Sequence, residues 1–373
     1  MTTNPFKYGT VVTGKDFCGR HELLRGIVKH IDSAQNVAII GERRIGKTSL
    51  IREAVGKKKG VRTLYVDFFG AKSIDAVCKR IIHGITLMEK RETWATKIIK
   101  AIPYIRPKLS VDPLTGAISL IFDASTELKE ESIPEILSFI EKLSEEKTLV
   151  AVFDEFQAIL DIRDSREALG LLRSTIQFQS DVPYIFAGSI RHKMDWIFSS
   201  PDSPFFKSAI LINVHSLPYD EYSKFLKGKF RREKRTIHDE SMKKFFQMAD
   251  NITGDIQQLC EALWSVTREG AEINDTSIAD ALSLIFAREK NAYENYFSLL
   301  TDLQQKCLMA IAMEGGKNVL SARIAKAAGA ANPSSVRKAV SRMISLNILF
   351  EKGKEVRFVN PFFRAWLARR GGS

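Results

Sequence analysis

Eight consecutive residues, Gly41 to Thr48, carry the spacing G-x-x-x-x-G-K-T, in the stretch NVAIIGERRIGKTSLIREAV. Each fixed position has a chemical use. Gly41 and Gly46 allow backbone conformations and close approaches that a side chain would block. The N–H groups of the loop, from Gly41 through Glu42, Arg43, Arg44 and Ile45 to Ser49, can then turn inward as an anion nest. A helix starting near Lys47 adds the positive end of its dipole. Lys47 can reach the β- and γ-phosphates of a nucleotide, and the Thr48 hydroxyl can ligate magnesium.

A second pair of residues has matching chemistry. The run TLVAVFDE ends in Asp154-Glu155. Asp154 suits a magnesium shell, directly or through water. Glu155 suits a general base that takes a proton from an attacking water. Two acids after a strand are equally compatible with a solvated strand end. Placed in one chain with the glycine-rich loop, they point to a nucleotide site. The run PYIFAGS ends in Ser189, whose hydroxyl either meets the γ-phosphate or the water, or simply caps the strand.

These residues need elements to hold them. Five apolar, β-rich runs lie at 36–40, 62–68, 148–156, 183–189 and 209–215. Helical spacing separates them, as at Ser49–Val55, Ile133–Leu143 and Arg166–Gln179. Near-continuous apolar strands alternating with helices predict a parallel sheet covered on both faces, an α/β fold. Such sheets bind ligands at the carboxyl ends of their strands, where the loop and both acids fall. Between 93 and 125 the rhythm breaks, and turn signals at Asp112-Pro113 and Thr115-Gly116 predict a β-hairpin insertion. From Pro218 to about Lys290 the spacing is helical throughout, a second domain. Three helices and a two-strand hairpin through Gly353 then make the pattern of a winged helix.

Composition narrows the class. With 45% hydrophobic and 27% charged residues in 373, the chain has material for two or three globular domains. No apolar run is long enough to span a membrane, and MTTNPFKYGT lacks an export pattern. Cys18, Cys78, Cys260 and Cys307 are far apart, which suggests reduced thiols and a cytoplasmic protein. The six histidines show no ligand spacing, so a metal site made only of side chains is not expected.

The net charge of +12 is uneven: residues 295–373 hold 13 Lys/Arg against 4 Asp/Glu, or +9. A basic segment of that size suggests double-stranded DNA as a partner. In its third helix, Arg337, Lys338 and Arg342 share a face with Ser334, Ser335 and Ser341. Val336, Ala339, Val340, Met343 and Ile344 form the opposite, apolar face. Lys352 and Lys354 fall on the wing. Basic residues without acidic ones suit phosphates and base edges. A protein-binding winged helix, with its charges solvated, is the alternative. The run KFRREKR at 229–235 reads as a solvated helix end.

The chain resembles the archaeal-type AAA+ ATPases, in the branch also common in bacteria and related to the STAND switches. The segment NPFKYGTVVTGKDFCGRHELL is similar to their entry motif, with Phe17, Gly19 and Arg20 in its F-x-G-R turn. GERRIGKTSL resembles their phosphate loop, VFDEFQ their Walker B motif and IFAGSIRHKM their sensor-1 strand. NPSSVRKAVSRMISLNILF and VRFVNPFFRAWL resemble their winged helix and closing segment. The resemblance implies a P-loop NTPase sheet of strand order 5-1-4-3-2, with the sensor-1 strand between those of the phosphate loop and Walker B. It implies ATP and Mg2+ as ligands, with the F-x-G-R turn beside the adenine. It also implies a core over 1–216, a helical lid over 217–294 and a winged helix over 295–370, with 371–373 outside the fold. Two departures stand out. Lys207-Ser208 replaces an arginine frequent in relatives, and Gln257 stands where origin-type relatives carry a sensor-2 arginine. Both remove charge that would stabilise a transition state. The expected function is a slow ATPase switch that engages DNA. The alternative is a STAND-like signalling or scaffold ATPase, acting through a protein partner or as a homo-oligomer.

Overall fold

Apolar runs at the expected positions form a parallel sheet in a computed structural model of the chain. The described residues are 3–88, 107–111, 118–122, 127–330 and 332–371. They fall into two units, Val11–Ser216 and Leu217–Ser373 with Met1–Thr10.

In the first unit the strands are β1 (Val37–Ile40), β2 (Arg62–Asp67), β3 (Pro107–Val111), β4 (Ile118–Phe122), β5 (Leu149–Asp154), β6 (Tyr184–Gly188) and β7 (Ile210–Asn213). Five of them make one sheet in the order β2-β5-β6-β1-β7. With the hairpin strands left out of the count, this is 5-1-4-3-2 read from the β7 edge. All pairings are parallel, so every carboxyl end points to one edge. The registers Asp67↔Asp154 and Ile40↔Gly188 bring the segments after β1, β2, β5 and β6 together there.

Burial explains most of the sequence pattern. Every residue of β1, β5 and β6 is buried, as expected for strands covered on both faces. The last strand differs. β7 is as apolar as the others, yet Ile210 and Leu211 are 39% and 41% exposed. Among the described residues it is an edge strand, with β1 as its one neighbour in the sheet. The expected hairpin is present: β3 and β4 pair antiparallel, from Pro107↔Phe122 to Val111↔Ile118. The proposed turn residues between them lie outside the described residues.

Aromatic rings fill the core beneath the site. Phe186 on β6 meets Phe156 at 4.7 Å, Phe198 at 5.3 Å and Phe205 at 5.4 Å between centroids. All four are essentially inaccessible to solvent. Truncating such a ring leaves a void that tight packing cannot refill. Phe186→Ala should therefore destabilise this unit by about 3–5 kcal/mol. Urea denaturation of wild type and variant checks this, and an unmoved midpoint contradicts it.

The second unit is mainly helical, but not throughout. Two short strands, β8 (Thr236–Ile237) and β9 (Glu272–Ile273), pair in parallel. Two residues give too little alternation to register against helical spacing. The helix Asp275–Ser298 starts on a capping box between Asn274 and Ser277. Further on lie helices Asp302–Glu314, Ala322–Ala327 and Pro333–Ser345 and an antiparallel pair, β10 (Leu349–Lys352) and β11 (Glu355–Phe358). The helix Pro361–Gly371 closes this part, with Phe363 against Tyr293 at 5.1 Å. The first residues belong here too: Phe6 packs on Phe230 at 4.4 Å, and Lys229 Nζ donates to the Pro5 carbonyl at 2.9 Å. Among the described residues, no helix is long and apolar enough to cross a membrane.

Candidate functional site

The loop after β1 is shaped by its two glycines. A Cβ on Gly41 would sit 2.7 Å from the Val214 carbonyl oxygen, so only glycine fits. Gly46 has φ +95°, a conformation that side chains disfavour, and it leads directly into the helix Lys47–Gly56. The first N–H groups of that helix have no partner within it. Its axis thus presents donors and a positive dipole end to the loop's concave side.

Lys47 is only 6% exposed. Its Nζ donates to the carbonyls of Gly41 at 2.9 Å and Glu42 at 3.1 Å. Burial is the main cause that lowers its pKa below the ordinary lysine value, opposed by the carboxylates of Glu155 and Asp154. Removal from water makes an anionic ligand favourable for this ammonium. Ile45 is buried, whereas Arg44 is exposed. The Arg43 guanidinium lies 5.7 Å from the ring centroid of Phe69.

Thr48 and Asp154 meet as their motifs require. Thr48 Oγ1 donates to Asp154 Oδ2 at 3.0 Å. The Tyr65 hydroxyl donates to the same oxygen, and Asp154 Oδ1 accepts the Glu155 N–H at 2.9 Å. A hydroxyl and a carboxylate at this distance are a hard oxygen donor pair, which suits Mg2+ held jointly with phosphate oxygens. Asp67, aligned with Asp154 on the neighbouring strand, is raised in pKa chiefly by burial.

Glu155 follows in the left-handed region, with φ 50°. Non-glycine residues hold that conformation where the surroundings enforce it. Here the side chain is fixed: Ser189 Oγ donates to Glu155 Oε2 at 2.7 Å, and Gln157 Nε2 donates to the same oxygen. The serine hydroxyl therefore faces the acid rather than merely ending its strand.

The entry segment contacts the loop from behind. Arg20 NH1 donates to the Gly46 carbonyl and NH2 to that of His215, each at 3.2 Å, and NH2 also reaches the Ile45 carbonyl. Its guanidinium thus braces the phosphate loop. Ser49 Oγ accepts the Val12 N–H at 3.1 Å, and Glu53 accepts that of Gly14 at 2.7 Å. Gly19 is buried and Phe17 half-buried beside Arg20 in sequence.

Two site residues carry no motif of their own: Tyr65 and Asp67 are brought in by the pairing of β2 with β5. Gln157 and Gly188 lie within the VFDEFQ and IFAGSIRHKM runs, which gave neither of them a role. Arg191 NH1 donates to Asn213 Oδ1 at 2.9 Å, linking the segment after β6 to the end of β7. Lys207 is exposed with φ 54°, its ammonium 5.1 Å from the Phe206 ring centroid.

In the second unit, Gln257 Nε2 donates to the Tyr222 hydroxyl at 2.9 Å. The helix Pro333–Ser345 starts on Asn332, whose Oδ1 accepts from the Ser335 N–H at 3.0 Å and from Ser334 Oγ at 2.6 Å. Arg337, Lys338, Ser341 and Arg342 are exposed, while Ser335 is half-buried. Val336, Ala339, Val340 and Met343 are buried, and Ile344 is half-buried at the margin of that face. Lys352 and Lys354 are exposed on β10 and the turn after it.

Comparison with known proteins places two regions of the chain in described domain families. Residues 29–192 match the family model described as "AAA domain", and residues 291–369 match "Probable winged helix domain". No curated protein matches the chain. A Walker-type ATPase of Pyrococcus abyssi is similar in structure, with TM-score 0.66, 16% identity and coverage of 97% of this chain and 99% of that one. The ORC1 protein of Aeropyrum pernix, solved in complex with DNA, gives TM-score 0.52 and 12% identity over 96% of this chain and 94% of its own. The ORC2 protein of the same organism, solved in ADPNP-ADP complexes, gives 0.51 and 14% over 94% and 93%. At these identities the likeness is one of fold. Together with the two family matches, it bears out the resemblance to archaeal-type AAA+ ATPases with a C-terminal winged helix.

Proposed function

Because the chain carries an AAA domain followed by a winged helix domain, we propose that it is an ATP-driven switch that engages DNA through the winged helix. The observation that supports this most is the convergence at one sheet edge of Lys47, the Thr48–Asp154 pair and the Glu155–Ser189 pair. In this reading the backbone of Gly41–Ser49 and the Lys47 ammonium hold the phosphates of ATP. Phe17, Gly19 and Arg20 border the base, with Arg20 also bracing the loop. Thr48 and Asp154 hold Mg2+, which neutralises phosphate charge when bound. Glu155 accepts the proton of the attacking water, and Ser189 keeps its carboxylate in place. Turnover is slow, because Lys207 and Gln257 occupy places where relatives carry arginine. Residues 217–294 serve as the lid and 295–370 as the DNA-facing module.

The DNA part rests on Arg337, Lys338 and Arg342, exposed on a helix that has no acidic residue. Ser334, Lys352 and Lys354 extend that surface. Replacing Arg337, Lys338 and Arg342 by Ala should weaken duplex binding and flatten its salt slope by about 0.9 for each phosphate no longer neutralised. Base-edge contacts would in addition relax sequence preference, by about 1–3 kcal/mol per bidentate pair. Fluorescence anisotropy at several salt concentrations, with ATP and with ADP, measures both. Equal affinity for wild type and variant rejects the recognition surface. A wild type that binds no duplex in either nucleotide state favours the STAND-like reading, in which this helix meets a protein.

A further inference from the structure

We infer that Gln157 is a positioning residue for Glu155: its side-chain amide fixes the carboxylate so that one oxygen is held and the other is left to receive a proton. This rests on the ATPase reading given above and assigns a role to a residue beyond the acid pair Asp154-Glu155, at the end of the VFDEFQ run.

Three observations carry it. First, Gln157 Nε2 donates to Glu155 Oε2, the oxygen that also accepts from Ser189 Oγ at 2.7 Å. Gln157 Nε2 lies 3.4 Å from that serine oxygen as well. The orientation of the amide follows from chemistry, since an ionised carboxylate only accepts and must face the NH2 end. Both donors thus converge on Oε2.

Second, the amide is 3% exposed, and its oxygen has no hydrogen-bond partner. A buried, half-satisfied amide is unfavourable compared with an apolar side chain of the same shape. Packing alone would be better served by methionine or leucine. What only the amide supplies here is the N–H directed at Glu155.

Third, the adjacent strand leaves room for this side chain. A Cβ on Gly188 would stand 2.4 Å from Gln157 Oε1 and 2.4 Å from Met194 Sδ. Gly188 has no need of a left-handed backbone, as it is the last residue of β6. Its missing side chain is where the amide of Gln157 fits.

The effect on the reaction follows. A fixed carboxylate presents the same oxygen to each incoming water, which is where a general base gains from orientation. Without Gln157, Ser189 is the donor that remains on Glu155 Oε2 among the described residues.

The test has two arms. In 15N-labelled protein without nucleotide, the side-chain NH2 signals missing from Gln157→Met identify Gln157. Those signals should shift in Glu155→Ala, because their acceptor is gone; signals that stay in place overturn the proposal. In steady-state turnover, Gln157→Met should lower kcat by about tenfold or more while KM for ATP stays within about twofold. Gln157→Glu, of the same shape, should lower kcat as well, because an ionised carboxylate cannot donate to Glu155. A kcat unmoved in both variants, or a rise in KM with kcat unmoved, overturns the positioning role. A wild type without ATP turnover defeats the ATPase reading itself, and the nucleotide-free NMR arm then decides the fate of the Gln157 contact.

Discussion

Lys47→Ala should leave a folded protein that no longer binds ATP at measurable strength. The side chain is buried and its Nζ already sits at the mouth of the loop, on the carbonyls of Gly41 and Glu42. Hydrogen bonds to charged groups contribute about 1.5–3 kcal/mol each. Losing two of them corresponds to a loss in affinity of about a hundredfold or more. The fold should survive, because Gly41 and Gly46 set the loop's conformation and Arg20 braces it from behind. Calorimetry with Mg-ATP measures the affinity. Thermal unfolding supplies the control: ligand that binds only the native state raises the midpoint, so the ATP-induced rise should vanish while the ligand-free midpoint holds. Unchanged affinity in the variant removes Lys47, and with it the phosphate loop, from the site.

The parts of the site that were legible in sequence are those encoded locally. Gly41 to Thr48 form one turn, and Asp154 with Glu155 end one strand, so neighbours in sequence are neighbours in space. The sheet was legible for a related reason: β1, β5 and β6 are buried on both faces and read as unbroken apolar runs. Tyr65 was hidden because its partner Asp154 lies 89 positions away. Only the pairing of β2 with β5 joins them, and pairing order is a property of the assembled sheet. Gln157 and Gly188 fall in the VFDEFQ and IFAGSIRHKM runs, but their relation to each other was hidden likewise, since it joins the segment following β5 to β6. Arg20 shows another limit. The entry motif marked it for the nucleotide's base, while its guanidinium is engaged with the carbonyls of Ile45 and Gly46. β7 matched its neighbours in hydrophobicity, but edge position rather than composition determines its exposure.

Glu155→Gln separates binding from chemistry. The replacement keeps the shape of the side chain, and its amide oxygen can still accept from Ser189 Oγ and Gln157 Nε2, as Oε2 does now. Neither Lys47 nor the Thr48–Asp154 pair is altered, so ATP should bind with wild-type affinity. The backbone N–H that donates to Asp154 Oδ1 is also retained. What disappears is the capacity to take a proton from water. A positioned general base contributes about 10²–10⁴-fold to rate, and single-turnover hydrolysis should slow by that factor. Rapid-quench measurement with enzyme in excess over ATP isolates the chemical step from product release. An unaltered single-turnover rate excludes Glu155 as the base. The same variant bears on the switch: held in its ATP state, it should show the DNA affinity of ATP-bound wild type and keep it through the assay. Wild type should instead drift toward its ADP-state affinity as turnover proceeds. If the DNA affinities of the ATP and ADP states coincide, the nucleotide does not control the winged helix, and hydrolysis at Glu155 serves some other step.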